Sequence, residues 1–243
     1  MRALVLAALF SVFSFGNAAE TGYRLDKSPH DPRDLTSLQA GAKTFVNYCL
    51  GCHGAQYQRY NRLGDIGLTE AQIRDNLMFT ADKVGETMRG TFTTKEGKQW
   101  FGVAPPDLSL IARSRGADWL YTYMRTFYRD PKTATGWNNL VFPNVGMPHA
   151  LWQLQGERGL ELVQGKDLAG HPRTEYKWTQ VSPGALSANE YDIAVRDLVN
   201  FLSYVGEPAA QKRKSIGILV LFVLGVVFIF AYLLKKAFWK DVK

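Results

Sequence analysis

Cys49, Cys52 and His53 stand together in the run Cys49-Leu50-Gly51-Cys52-His53, and the two cysteines are the only ones in this 243-residue chain. Two thiols with two residues between them can bridge, act as a redox dithiol, bind a metal or bond to one shared molecule. A bridge this short belongs to redox catalysts rather than to structural staples. A redox dithiol usually opens a helix after a strand. Here the pair follows an amphipathic helical stretch, and strand patterns are scarce. A zinc site would need more ligands of suitable spacing, and only His30, His149 and His171 remain.

The whole string is more specific than the pair. C-x-x-C-H is the attachment sequence of c-type haem. Two thiols one helical turn apart can add to the two vinyl groups of a single porphyrin. The residue that follows then projects toward the iron, and an imidazole there can bind it axially. Cys49 and Cys52 are therefore read as the thioether cysteines and His53 as the proximal iron ligand of one covalently bound haem c. The opposite axial position has more candidates: Met78, Met88, Met124, Met147 and the remaining histidines. Met78 and Met124 fall on helical stripes, where methionine is ordinary core filling. Met147 lies in "FPNVGMPHALW", between Gly146 and Pro148, in an irregular segment far from His53 in sequence. The residues alone put Met147 first, with His149 as the close alternative. A His/Met pair raises the potential relative to two histidines, because thioether sulfur favours ferrous iron.

Several elements must hold these groups. "DLTSLQAGAKTFVNY" (34–48) sets Leu35, Leu38, Ala42, Phe45 and Val46 on one face and runs directly into the cysteine pair. "LTEAQIRDNLMFTADKV" (68–84) opens with Thr69 and Gln72 at capping-box spacing. Residues 90–109 are rich in turns and broken by proline, which predicts a loop or short strands. Residues 117–128 carry Leu120, Met124, Phe127 and Tyr128 at helical spacing. Residues 129–186 read as irregular. Residues 187–208 are the clearest helix, with Ser187 and Glu190 as a capping box, a stripe of Ala194, Leu198, Phe201, Leu202 and Val205, and Gly206 and Pro208 as the stop. Long irregular stretches suit a chain wrapped around a large prosthetic group better than a self-sufficient core. The expected fold is mainly α, a c-type cytochrome haem domain with long irregular loops and one C-terminal transmembrane helix.

The two ends are read apart from that domain. Residues 1–19 combine Arg2, a short apolar run and the small residues "GNAA", the pattern of a bacterial export signal. Residues 20–33 read as an extended arm of the haem domain, which spans 20–211. Ser215–Leu234 is uncharged over 20 residues, flanked by Lys212-Arg213-Lys214 and by Lys235, Lys236, Lys240 and Lys243. At 1.5 Å per residue such a helix crosses a hydrocarbon core of about 30 Å. Residues 212–243 thus form a membrane anchor with a short tail. The formal charge of +7 invites a nucleic-acid reading, but residues 20–211 hold 21 Lys/Arg against 21 Asp/Glu. The excess sits at the membrane-flanking ends, so the basicity is a topology signal and no nucleic-acid partner is expected. With an export signal in front, the haem domain is expected in the periplasm, the helix in the bacterial inner membrane and the C-terminus in the cytoplasm.

Taken together, "GAKTFVNYCLGCH", "AQYQRYNRL", "WFGVAPPDLSLIARSRG", "NVGMPH" and the anchor preceded by "KRK" resemble the cytochrome c1 family, the haem subunit of the respiratory quinol–cytochrome c oxidoreductase. The resemblance covers nearly the whole mature chain. It implies Met147 as the axial methionine, Arg115 as the arginine facing a haem propionate, and Pro105 and Pro106 as lining of the haem pocket. It also implies that the chain takes electrons from a Rieske iron–sulfur subunit, passes them to a cytochrome c, and sits beside cytochrome b in a complex that dimerises. On this reading it is no enzyme by itself. The alternative is a tethered c-type cytochrome serving another periplasmic oxidase or reductase. One departure from the family stands out: some members present a marked acidic surface to cytochrome c, and this domain is charge-balanced with no long acidic run.

Overall fold

The computed structural model describes residues 23–166 and 172–240. The expected export signal and His171 lie outside those residues. Two helices form the frame. Helix α1, Leu35–Tyr48, starts at Asp34, whose carboxylate accepts the Ser37 N–H, and it buries Leu38, Ala42, Phe45 and Val46. A long helix, Ala188–Gly206, starts at the capping box formed by Ser187 and Glu190. The two cross at Gly41, where an added Cβ would sit 2.0 Å from the Asp197 carbonyl oxygen. Phe45 packs on Phe201 beside the crossing, with ring centroids 5.6 Å apart. A buried polar clamp fixes the register: Ser37 Oγ donates to Asp197 Oδ1 at 2.6 Å, and Asn200 Nδ2 donates to Ser37 Oγ at 2.9 Å and to the Asp31 carbonyl at 2.7 Å.

Between these helices the chain makes short elements. Strand β1, Ala55–Arg59, pairs antiparallel with β2, Thr87–Met88, around helix α2, Glu70–Asn76, which carries the expected Thr69/Gln72 capping box. The prediction of loop or short strands over 90–109 is corrected. Thr94–Phe101 is a helix, α3, capped by Thr93 and Glu96 and stopped at Gly102 with φ 74°. The prolines at 105 and 106 that suggested a broken segment follow this helix and do not interrupt it. The short helix α4, Ile111–Ser114, leads into α5, Ala117–Arg125, whose residues 119–124 are all buried. Strand β3, Phe127–Arg129, pairs with β4, Trp137–Asn139. Helix α6, Trp152–Gln155, then leads into a hairpin where irregular chain was expected. Residues 129–186 are not irregular throughout, because Gly156–Lys166 and Pro172–Pro183 form a long antiparallel hairpin, β5 and β6. Leu160 pairs with Trp178 and Leu162 with Tyr176, while Glu161 pairs with Lys177. That is a period-2 signal, but glycine and charge interrupt it, which leaves it weak in the sequence alone.

The helix Ala188–Gly206 is α7. Tyr191 reaches from it to donate its hydroxyl hydrogen to the Met124 carbonyl at 2.8 Å, which ties α5 to the frame. The N-terminal arm is extended as expected and docked on α5. The Asp26 N–H donates to Thr122 Oγ1, the Ser28 N–H donates to Asp118 Oδ1, and Arg125 joins Asp26 to Asp192. Glu207 to Ala209 connect the domain to α8, Ala210–Phe238, 29 residues long. Its best window has a mean hydropathy of 3.0 and none of it is buried in the protein, so the chain carries one transmembrane helix among the described residues. Helices dominate, connected by long loops, and the hairpin is the main exception.

Candidate haem site

The cysteine cluster sits on the exit from α1. Cys49 is the C-cap, donating its N–H to Phe45 O, and the chain turns again as the Cys52 and His53 N–H groups both donate to Cys49 O at 3.0 and 2.8 Å. The thiols are therefore held one turn apart by backbone geometry and are not bridged to each other. Burial pushes the Cys49 thiol up to about 12, and it raises the half-exposed Cys52 as well. Both are protonated at neutral pH, unlike a redox dithiol with its lowered thiol. Among the described residues no three His, Cys, Asp or Glu side chains converge on a point, which sets aside the zinc reading there.

His53 is buried, and its Nδ1 lies 2.7 Å from the Pro106 carbonyl oxygen. A carbonyl only accepts, so Nδ1 carries the hydrogen and Nε2 keeps its lone pair. Burial also lowers the pKa of His53 and favours the neutral ring. This is the second-sphere arrangement that orients a metal-binding imidazole.

Two adjoining cavities open in front of that ring. The wider, about 350 Å³, is lined by Cys49, His53, Arg115 and Met147 among a mostly apolar wall. The narrower, about 90 Å³, adds Cys52, Pro105 and Pro148. Both share His53, Val103, Ala104, Pro106, Gly146 and Met147, so they read as one slot with the cysteines and His53 along it and Met147 in its wall. A large apolar slot with few polar groups suits a flat hydrophobic cofactor. The loop carrying Met147 approaches closely, for a Cβ on Gly146 would lie 2.8 Å from Val103 Cγ1.

The structure brings all seven residues singled out from sequence to this slot: Cys49, Cys52, His53, Met147, Arg115, Pro105 and Pro106. Arg115 lies over the Trp119 ring, 5.2 Å from its centroid, and 5.7 Å from that of Phe142. The other candidates separate. Met78 and the fully buried Met88 do not line the slot, while Met124 lines the wider cavity alone. His149 is absent from both walls. It is buried with Nε2 2.8 Å from Gln155 Oε1, stacked 4.8 Å from Phe127 at 2° between the planes, and burial drives its pKa down to about 4. Sequence reasoning missed Tyr123, whose hydroxyl donates to Met147 Sδ at 3.3 Å. Burial pushes its phenol well above the ordinary range. Trp119 was missed too, and it stacks on Tyr123 at 4.8 Å. Both lie on the α5 stripe whose apolar members were noted, one turn apart.

A helical domain with C-x-x-C-H on a helix exit, a slot built around it and a single membrane helix define a membrane-anchored c-type cytochrome. Comparison with known proteins narrows the class. The cytochrome c1 family matches residues 26–242, and the chain belongs to it. The cytochrome c1 of Allochromatium vinosum is 46% identical over the whole of both chains. A protein of Nitrosomonas europaea named ammonia monooxygenase gamma subunit is 48% identical, over 100% of this chain and 98% of its own. The cytochrome c1 of Rhodospirillum rubrum is 27% identical over 100% and 97%. Membership gives the chain its cofactor, covalent haem c, and its role as the c1-type electron-transfer subunit of a respiratory cytochrome bc1 complex, held by one membrane helix.

Proposed function

We propose that Cys49 and Cys52 hold the haem by thioether bonds, that His53 and Met147 are its axial ligands, that Arg115 faces a propionate, and that Pro105 and Pro106 line the pocket. When bound, the haem supplies a one-electron iron couple. The protein's own residues do the rest. Pro106 fixes the His53 tautomer, the apolar wall excludes water, and an always-charged guanidinium at Arg115 suits a carboxylate. The observation that carries the reading is the shared slot, with a neutral, oriented imidazole and a thioether both lining it.

On this reading the chain accepts electrons from a Rieske iron–sulfur subunit and passes them to a cytochrome c, beside cytochrome b in a complex that dimerises. Residues 1–19 act as an export signal, residues 20–211 stand in the periplasm, and the tail after α8 is cytoplasmic. A pyridine haemochrome spectrum of the membrane-purified protein, run beside a subunit gel, tests this. A c-type spectrum with b-type haem and an iron–sulfur subunit copurifying is the expected result. A c-type spectrum without those companions refutes the placement in the complex.

The name of the Nitrosomonas europaea relative favours a second reading, in which the tethered cytochrome serves a monooxygenase. Copurification with oxygenase subunits in place of cytochrome b would select it.

A further inference from the structure

Tyr123 is neither a thioether residue nor an axial ligand in the reading above, yet its hydroxyl donates a hydrogen bond to the Met147 sulfur at 3.3 Å. The placement is built in several ways. The Tyr123 ring stacks on Trp119 at 4.8 Å with 12° between the planes, and it meets the edge of Phe127 at 4.9 Å and 67°. Its backbone carbonyl accepts from Asn139 Nδ2 at 2.7 Å, anchoring this turn of α5 to a fully buried asparagine. Only 8% of the residue is exposed.

We propose that Tyr123 is a positioning residue that raises the haem potential by hydrogen bonding to the axial sulfur. This rests on Met147 being the axial ligand. A thioether sulfur has two lone pairs, one for the iron and one for the Tyr123 hydrogen. The hydrogen bond draws electron density off the sulfur and weakens it as a donor. A sulfur depleted of electron density suits the softer, electron-richer ferrous iron better than ferric iron, so the reduced state is favoured and reduction becomes easier. The same bond also fixes the thioether rotation about an otherwise flexible side chain.

The test is potentiometric titration of the full-length, detergent-solubilised protein in wild type, Tyr123→Phe, Tyr121→Phe and Met147→Leu. Tyr123→Phe keeps the ring and removes one oxygen. It should weaken reduction by a factor of about three to ten, a fall of about 30–60 mV at 59 mV per tenfold for one electron. The sulfur-to-iron charge-transfer absorption of the ferric protein should persist. Tyr121, on the same helix beneath the Arg125 guanidinium at 4.5 Å and outside the slot, should leave the potential unchanged on conversion to phenylalanine. An unchanged or raised potential in Tyr123→Phe overturns the proposal, and so does an equal fall in Tyr121→Phe. If Met147→Leu keeps the wild-type potential, the ligand assignment itself fails. If that variant collapses the potential and Tyr123→Phe does not move it, the hydrogen-bond role alone fails. Should Tyr123→Phe not accumulate with haem, wild-type protein with isotope-labelled tyrosine decides. A tyrosine C–O–H band in the reduced-minus-oxidised infrared spectrum supports the proposal, and its absence overturns it.

Discussion

Met147 and His149 are two residues apart, and the backbone sends them to opposite environments. Met147 enters the slot. His149 turns into the core, stacked on Phe127 with one nitrogen held by Gln155. Pro148, between them, lines the narrow cavity with Met147. The substitution Met147→Leu preserves bulk and removes the sulfur. We expect a marked fall in potential and carbon monoxide binding to the ferrous protein, read by potentiometry and difference spectroscopy; wild-type values in both would refute the assignment. His149 has the opposite signature. Its pKa of about 4 is depressed below the ordinary histidine value, so burying it neutral costs stability once the unfolded imidazole can protonate. The sign is that of a group binding fewer protons when folded. Its contribution is unfavourable below the ordinary histidine pKa, increasingly so down to about pH 4, and absent above neutrality. His149→Gln should flatten the loss of stability of the haem domain between about pH 6.5 and 4, measured by urea denaturation at a series of pH values.

At the scale of elements, the crossing of α1 and α7 governs everything that follows, because the cysteine cluster hangs from the end of α1. Gly41 permits the close approach, and Ser37, Asp197 and Asn200 set its register. Gly41→Ala forces a methyl group into the Asp197 carbonyl and should cost about 1–3 kcal/mol, the usual range for overpacking. The check is a lowered urea midpoint for the haem-bearing domain; an unchanged midpoint would show that the helices separate without penalty. Gly97 does the same work on the pocket wall, where an added Cβ would lie 2.5 Å from Pro105 Cδ. Helix α3 can therefore lie directly against the Pro105–Pro106 segment that holds His53.

The molecule as a whole has two solvents. Its haem domain makes its own core around α1, α5 and α7, while α8 has no buried residue and is uncharged over its central stretch, 215–234. At 1.5 Å per residue its 29 residues reach about 44 Å, longer than a hydrocarbon core of about 30 Å, which leaves its charged flanks for the interfaces. Because the domain buries none of α8, deletion of 212–243 should release a soluble domain that keeps covalent haem, judged by a pyridine haemochrome spectrum after ultracentrifugation. A truncated product without bound haem would mean that the anchor is needed for maturation.

Local chemistry was readable from the residues in order. C-x-x-C-H needs only adjacency, capping boxes at Thr69 and Ser187 need a spacing of three, and a membrane helix needs only an uninterrupted apolar run, so each was legible without a fold. Helix α3 and the β5–β6 hairpin were not, because a capping box hidden in a proline-rich segment and a broken period-2 pattern are weak when read alone. The choice between Met147 and His149 as slot residue, and the partnership of Tyr123 with Met147, belong to the tertiary structure. Both depend on which way side chains one or two positions apart leave the backbone, and only packing against Trp119, Phe127 and Val103 decides that.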